Sequence, residues 1–221
     1  MPAVGGVSEP VLYGADYSVY TRIARLALLE KCISCRFETV DVFATGGPPE
    51  AHLRRHPFGR IPAFAHDDVA LYEACAICRY VDEAFPGPPL QPADAAGRGR
   101  MTQIISLLDA YAFRPMVMDI YVERVSAPAR GRAPDEARIA AAVPQAERCL
   151  SALARMIGDA PWLAGPALSL ADLHAAPMFS YFTQAAEGAA LLDNWPSMRA
   201  WWRRMTMREA VAATRFAGEI P

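Results

Sequence analysis

The chain has 221 residues, of which 53% are hydrophobic and 21% charged, enough apolar material for one large domain or two small ones. The net charge is −2, with 22 basic against 24 acidic side chains, so the positive surplus that grips nucleic-acid phosphates is missing. No apolar run is long enough to span a bilayer, and the first ten residues do not resemble a secretory signal. Five cysteines in a chain of this length indicate reduced thiols and a cytoplasmic protein. We therefore expect neither a nucleic-acid nor a membrane partner.

The first part of the sequence predicts alternating strands and helices. Residues 10–14 and 35–41 have the pattern of short strands, and residues 22–31 between them place apolar side chains on one helical face. Strand, helix and strand at this spacing form a βαβ unit with parallel strands. The remaining predicted elements are a short helix at 50–55, a hairpin of 61–65 and 69–71 with its turn at 66–68, and a helix at 73–85.

The second part of the sequence predicts helices only. A segment rich in Pro, Gly and Ala at 87–98 is the predicted linker between an N-terminal domain at 9–86 and an all-helical domain at 99–217. Residues 101–123 form one long predicted helix that Pro115 should kink. Ser169-Leu170-Ala171-Asp172 has the spacing of a helix capping box. A further helix is predicted by a single-face apolar stripe at Ile139, Val143, Ala146, Leu150, Leu153 and Ile157.

Ser18 is the most informative polar residue of the sequence. It follows a predicted strand that ends at Gly14, and it opens the first long helix. A hydroxyl and free backbone N–H groups at a helix N-terminus can hold an anion. Serine is also an ordinary helix cap, so the pattern alone leaves both interpretations open.

Four segments, in order and spacing, resemble those of the cytosolic glutathione transferases, and most of all the serine-type members (theta- or phi-like, of the bacterial type). They are Leu12-Tyr13-Gly14 with Ser18, His56-Pro57-Phe58-Gly59-Arg60-Ile61-Pro62 against Asn-Pro-Phe-Gly-Lys-Val-Pro, Leu71-Tyr72-Glu73-Ala74 against a Glu-Ser pair, and the capping box. The resemblance covers the chain from about residue 10. It implies an α/β plus all-α fold, in which a thioredoxin-like N-terminal domain of order β-α-β-α-β-β-α precedes an all-helical C-terminal bundle. It also implies a homodimer that uses glutathione as co-substrate and holds no metal.

The resemblance also implies the roles of individual residues. Ser18 would donate its hydroxyl hydrogen to the glutathione sulfur and stabilise the thiolate, with Tyr13 as the alternative. A cis peptide bond before Pro62 would let the backbone of Ile61 pair with the cysteinyl part. Glu73 would pair with the γ-glutamyl ammonium group. The implied glutathione-binding residues are Tyr17, Arg60, Ile61, Pro62, Glu73 and Ala74.

The sequence departs from the resembled pattern at both ends of the tripeptide. Ala74 stands where the family has a serine, and the basic pair that grips the glycyl carboxylate falls at Gly47 and Pro48. Arg60, Arg54 or His52 are the candidates to replace that pair. An adaptable apolar pocket for the second substrate is predicted around Pro115, although about half of its aromatic and methionine side chains should be core. The predicted pocket residues are Tyr20, Tyr111, Phe113, Met116, Met118 and Tyr121.

Two Cys-x-x-Cys pairs, Cys32/Cys35 and Cys75/Cys78, lie away from the start of the first helix, where a redox pair would belong. Their separation also differs from that of zinc modules, so we interpret them as buried structural thiols. The function that the sequence favours is addition of glutathione to a small hydrophobic electrophile. The alternatives are a glutathione-dependent isomerase or dehalogenase, and a transferase-like binding protein with little catalysis.

Overall fold

In the computed structural model, which describes residues 8–216, the chain divides into two units between Pro88 and Pro89. The sheet of the first unit has the strand order β2-β1-β3-β4, with β1 parallel to β2 and antiparallel to β3, and β3 antiparallel to β4. The elements of this unit are β1 Val11–Gly14, α1 Val19–Glu30, β2 Arg36–Thr39, α2 Glu50–Leu53, β3 Ala63–His66, β4 Val69–Tyr72 and α3 Ala74–Ala84. The predicted element order and the parallel β1–β2 pair are both confirmed.

Helices α1 and α3 pack against each other through their apolar faces. Ile23 and Leu26 of α1 are 1% exposed, and Ile77 and Val81 of α3 are fully buried. Helix α1 starts three residues earlier than the periodicity predicts, because Ser18 caps it at the N-terminus. The Ser18 hydroxyl is therefore held at the N-terminus of α1, a helix that packs firmly against α3.

The second unit contains only helices. They are α4 Ala95–Leu107, a π-helical segment Leu108–Ser126, α5 Ala127–Ala129, α6 Glu136–Ile157, α7 Leu170–Phe182, α8 Ala186–Asp193, α9 Pro196–Thr206 and α10 Glu209–Ala213. All residues of α7 are buried, which makes it the centre of this unit. The predicted fold class, a thioredoxin-like sheet domain followed by a helical domain, is confirmed. Among residues 8–216, no helix is long and apolar enough to cross a membrane.

Two predictions about the second unit need correction. Helix α4 begins inside the predicted linker, because Asp94 caps it by accepting a hydrogen bond from the Gly97 N–H at 2.9 Å. The long helix predicted over 101–123 changes at Leu108 into the wider π-helical form, and Pro115 lies within that segment. The last residue of the predicted domain, residue 217, lies outside the described residues.

The π-helical segment is held to α6 by a cluster of charged side chains. Arg138 of α6 donates to Asp119 at 2.6 Å and to Glu123 at 2.9 Å. Glu123 is 2% exposed and also accepts from Arg132 at 2.7 Å. Burial acts to raise the pKa of Glu123, but the hydrogen bonds and charges of these arginines hold that pKa below its usual range.

Candidate functional site

Ser18 caps helix α1 and keeps a hydroxyl hydrogen to donate. Its Oγ accepts from the Thr21 N–H at 3.2 Å, and its own N–H donates to the Ala15 carbonyl at 3.1 Å. The hydroxyl acts as an acceptor in the cap, so its hydrogen stays available for an anion at the same helix end. The capping role and the anion-binding role are therefore compatible in one side chain.

Tyr13 belongs to the core of the first unit. It is 8% exposed and forms a cluster with Val40 and Ala63. The Arg55 guanidinium carbon lies 4.1 Å from the centroid of its ring, which is the geometry of a cation–π contact. This environment is that of a packing residue, and it favours Ser18 over Tyr13 as the group that meets a ligand.

Tyr17, which precedes Ser18 in the sequence, forms an exposed aromatic pair with Phe43. Their ring centroids are 6.1 Å apart at 28°, and Phe43 is 81% exposed. The loop that carries Phe43 is fixed because its N–H donates to Asp41 at 2.9 Å. The sequence reasoning missed Phe43. Its signal was a lone large apolar residue ahead of the Gly46-Gly47 turn.

The peptide bond between Ile61 and Pro62 is cis, as the sequence predicts. Pro62 is buried, and Ile61 packs against the cluster around Tyr13. Strand β3 begins at Ala63, which pairs with Tyr13 of β1. The N–H and C=O of Ile61 thus lie just beyond the paired part of the sheet.

Glu73 occupies a sparsely populated backbone conformation at the N-terminus of α3. Its φ is +71°, its side chain is exposed, and that side chain makes no capping hydrogen bond. Such outliers in non-glycine residues collect at ligand sites. Ala74 is 3% exposed, so the missing hydroxyl leaves a buried methyl group, while the first N–H groups of the helix remain as anion donors.

The structure separates the three candidates for the glycyl carboxylate. His52 is 1% exposed, and its Nε2 lies 2.7 Å from the Arg60 carbonyl oxygen. Arg54 donates to Glu50 at 2.7 Å. Arg60 is exposed, and no carboxylate of residues 8–216 pairs with its guanidinium. Of the three, only Arg60 presents an uncommitted positive charge.

The predicted pocket residues differ in burial. Met116 is fully buried, and Tyr121 is 8% exposed with its ring 4.6 Å from that of Tyr181, so both belong to the core of the second unit. Tyr111 is 68% exposed and Met118 is 37% exposed. Phe113 and Tyr20, the latter in the first unit, are half-buried. Two of the six predicted side chains are thus core residues, and the other four keep solvent-exposed surface.

The interpretation of these four cysteines as buried holds only for Cys78, and Cys35 is half-buried. Cys32 and Cys75 are exposed, since Cys32 lies in the turn after α1 and Cys75 in the first turn of α3. Cys78 is buried, and burial raises the pKa of its thiol. Burial also raises the pKa of Cys35 to about 11. None of the five cysteines forms a disulfide. Within residues 8–216 no cluster of three or more His, Cys, Asp or Glu side chains could hold a metal ion.

Family models match both parts of the chain. The model "Glutathione S-transferase, N-terminal domain" matches residues 12–89, and "Glutathione S-transferase, C-terminal domain" matches residues 108–209. Glutathione S-transferase 4 of Zea mays is 31% identical over 202 residues, covering 90% of this chain and 88% of the relative. Glutathione S-transferase F13 of Arabidopsis thaliana is 28% identical over 201 residues, covering 90% and 91%.

Solved structures agree with these matches. Glutathione transferase F7 of Populus trichocarpa superposes with a TM-score of 0.82 at 28% identity, covering 93% of this chain and 97% of the other. A glutathione S-transferase III in apo form superposes with a TM-score of 0.84 at 27% identity, covering 97% and 99%. The likeness extends over both units, including the segment that carries Ser18, Ile61 and Glu73.

Proposed function

The chain belongs to the glutathione S-transferase family, and from this premise we propose that Ser18 activates the thiol of its co-substrate glutathione, which makes the chain a serine-type member. The observation that carries the proposal is the Ser18 hydroxyl, which caps α1 as an acceptor and keeps its hydrogen to donate. The burial of Tyr13 beneath Arg55 supports the same choice.

The enzyme adds the glutathione thiolate to a small hydrophobic electrophile. A thiol with a pKa near 8.5 is only a few per cent ionised at pH 7. Lowering that pKa by about two units requires roughly 2.7 kcal/mol of preferential thiolate stabilisation. The Ser18 hydrogen bond and the positive end of α1 supply this stabilisation together. The thiol proton passes to solvent, and the thiolate forms the new carbon–sulfur bond. In a substitution, the bond from that carbon to the leaving group breaks and the leaving group departs with the electron pair; in an addition, a π bond of the electrophile opens and the neighbouring atom takes a proton from solvent.

Three sets of groups hold the three residues of glutathione in the proposed site. The backbone of Ile61 pairs with the cysteinyl residue as an added strand would. Glu73 pairs with the α-ammonium group, and the first N–H groups of α3 bind the α-carboxylate. Arg60 takes the glycyl carboxylate, because His52 and Arg54 are committed elsewhere. Tyr17 and its partner Phe43 shield the sulfur from water.

The electrophile pocket draws on the accessible aromatic and methionine side chains. Phe113, Tyr111 and Met118 are the members of the predicted set in the second unit that are not fully buried. Met116 and Tyr121 support the others from the core. The pocket should accept varied apolar groups, because methionine and aromatic side chains adapt their shape.

A homodimer in the cytoplasm completes the proposal. Phe58 is 72% exposed and Tyr72 is 37% exposed, and their rings are 6.3 Å apart, so the first unit has an aromatic patch for a second copy to cover. The five free thiols support a reducing compartment. Light scattering after gel filtration should give twice the mass of 24.1 kDa, and a mass of one chain would contradict the dimer.

The test of the proposed role is a comparison of Ser18→Ala with Ser18→Thr. We expect retention on glutathione resin for both variants. We expect conjugation of 1-chloro-2,4-dinitrobenzene at pH 6.5 to fall about 5- to 50-fold in Ser18→Ala only, since the hydroxyl's share of about two pKa units of thiolate stabilisation is lost and the share of α1 is kept. Thr keeps the hydroxyl and the cap.

Tyr13→Phe is the matched control, and its turnover should equal that of the wild type. If Tyr13→Phe loses turnover and Ser18→Ala keeps it, Tyr13 activates the glutathione thiol and the proposal is contradicted. Binding without turnover on any electrophile would indicate a binding protein instead.

A further inference from the structure

His56 is a buried imidazole whose Nδ1 has no hydrogen-bonding partner. The side chain is 2% exposed, and Nδ1 is enclosed without a donor or acceptor among the described residues. The backbone is fixed on both sides, because the His56 N–H donates to the His52 carbonyl at 2.8 Å and its carbonyl accepts from the Gly59 N–H at 2.9 Å. Buried polar atoms are normally paired, so an unpaired Nδ1 in a rigid turn points to a role other than packing.

The ring of His56 lies against the residue that precedes Glu73. Its centroid is 4.7 Å from that of Tyr72, and 6.3 Å from that of Phe58. Glu73 itself makes no capping hydrogen bond in its φ +71° conformation. The buried imidazole therefore packs against the residue next to the exposed carboxylate that starts α3.

Three charged or titratable groups act on His56. Burial lowers the pKa of the imidazole, the negative charge of Glu73 acts to raise it, and His52 and Arg60 act to lower it further. The ring is therefore uncharged near neutral pH. When it gains a proton in acid, Glu73 is the group of opposite charge that favours the protonated form.

We propose that His56 is a positioning residue for Glu73: its neutral ring leaves this carboxylate to the ammonium group of glutathione, and its protonated ring competes with that ammonium group for the same carboxylate. The inference rests on the proposed role of Glu73 in holding glutathione. A bound ammonium group places a positive charge beside Glu73, which disfavours a second positive charge on His56. Binding and protonation oppose each other, and by thermodynamic linkage each weakens the other by the same factor.

The consequence is an acid-sensitive affinity that is separate from thiol activation. Because one proton is linked to binding, affinity can fall by at most about tenfold per pH unit. The thiol step depends on Ser18 and α1, so it follows its own pH dependence. A variant at His56 should alter the pH dependence of the dissociation constant and leave that of kcat unchanged.

The experiment measures the dissociation constant of S-methylglutathione, which has no ionisable thiol, by calorimetry between pH 5.5 and 7.0. In the wild type we expect affinity to weaken as the pH falls across this range, by more than twofold and by less than about tenfold. In His56→Asn, which restores the asparagine of the resembled segment, we expect less than a twofold change. His66→Asn is the matched control. His66 is also buried, at 7% exposure, and its Nε2 also lacks a hydrogen-bonding partner, but its Nδ1 pairs with the Tyr80 hydroxyl at 2.8 Å. His56→Asn alone should remove the effect.

Equal weakening in His56→Asn and the wild type would overturn the inference. If the variant does not fold, an NMR titration of the wild type decides the question instead. The chain has four histidines, so the His56 imidazole can be titrated by NMR with and without S-methylglutathione. Its pKa must fall when the ligand is bound, and an unchanged pKa overturns the inference.

Binding that is independent of pH overturns this inference alone, whereas no binding at pH 7.0 overturns the proposed function and this inference with it.

Discussion

Gly14 allows helix α1 to start close to the end of strand β1. A Cβ at this position would lie 2.5 Å from both Cγ2 and Oγ1 of Thr21, the residue whose N–H donates to Ser18. Thr21 is fully buried and cannot move without shifting the first turn of α1. The absence of a side chain at residue 14 therefore sets the position of the candidate hydroxyl.

We expect Gly14→Ala to reduce both stability and turnover. Overpacking of this kind costs about 1–3 kcal/mol, and the displaced turn carries Ser18 with it. Urea unfolding and the conjugation rate measure the two effects. The double variant Gly14→Ala/Thr21→Ala removes the two colliding atoms and should recover most of both losses. If it recovers neither, the contact with Thr21 is not the cause.

Arg60→Ala should raise the KM for glutathione at least about tenfold and leave kcat unchanged. Removing one hydrogen bond between charged groups costs about 1.5–3 kcal/mol, and a group that holds the glycyl end does not touch the reacting sulfur. Arg54→Ala is the control, because Arg54 already pairs with Glu50. Steady-state kinetics at varied glutathione measure both variants, and equal effects would count against a specific role for Arg60.

Local sequence is sufficient for some site residues and insufficient for others. Ser18 and Pro62 could be predicted, because a helix cap and a proline in a Gly-Arg-Ile-Pro segment are properties of a few neighbouring residues. The burial of His56 could not be predicted, since it depends on Tyr72 at the end of strand β4. The commitment of His52 to the Arg60 carbonyl likewise appears only in the folded chain.

The start of helix α7 is the best defined element boundary in the second unit. Asp172 is fully buried and accepts four hydrogen bonds of 2.8 Å, from the Leu163 N–H, the Trp201 Nε1–H, and the N–H and hydroxyl of Ser169. The predicted capping box is confirmed, and it also ties α7 to α9 and to the loop before it. One carboxylate thus joins three segments of the helical unit.

We expect Asp172→Ala to lower the free energy of unfolding by at least about 3 kcal/mol, because it leaves buried donors unpaired. Asp172→Asn keeps one acceptor oxygen and should lose less. Asp159→Ala, at an exposed position after α6, should change stability by less than about 0.5 kcal/mol. Urea denaturation compares the three, and a loss in Asp172→Ala no larger than that of the control would contradict the prediction.

Elements with strong periodicity could be predicted closely, and the helix type could not. The stripe that includes Ile139 and Leu150 predicts α6, because burial of one face requires the 3.6-residue period. The π-helical segment at Leu108–Ser126 depends on which carbonyl each N–H reaches, and apolar spacing alone does not determine that. Pro115 indicated an irregularity there without indicating its form.

At the scale of the whole molecule, the thiols divide into two reactivity classes. Cys32 and Cys75 are exposed. Burial raises the pKa of Cys35 to about 11 and raises the pKa of Cys78 and Cys149 as well. A raised pKa leaves less thiolate at pH 8, and the thiolate is the reactive form.

We expect an aromatic disulfide reagent at pH 8 to modify two thiols of the native chain quickly and all five after unfolding. Cys75→Ser should remove one fast equivalent, whereas Cys78→Ser should remove none. Absorbance of the released thiol counts both phases. A fast phase that persists in full in Cys75→Ser would contradict the assignment.

The whole architecture was more predictable than its internal boundary. Composition and element order indicate a sheet unit followed by a helical unit, and the structure has both. The end of the linker was misjudged because proline and glycine content outweighed one capping residue, Asp94. The cysteines were misjudged because spacing within a motif does not fix exposure.

The backbone of the loop at Gly46 and Gly47 restricts which amino-acid substitutions can evolve there. Both residues have positive φ, +98° and +89°, and a Cβ at either would meet nothing within 4 Å. Space is therefore available for a side chain, but the backbone conformation penalises one by about 1–2 kcal/mol. A basic residue at Gly47 would require the loop to change its path first. A basic residue that restores the family's positive charge is easier to introduce at Pro48. The backbone conformation of the loop therefore favours substitution at residue 48 over residue 47.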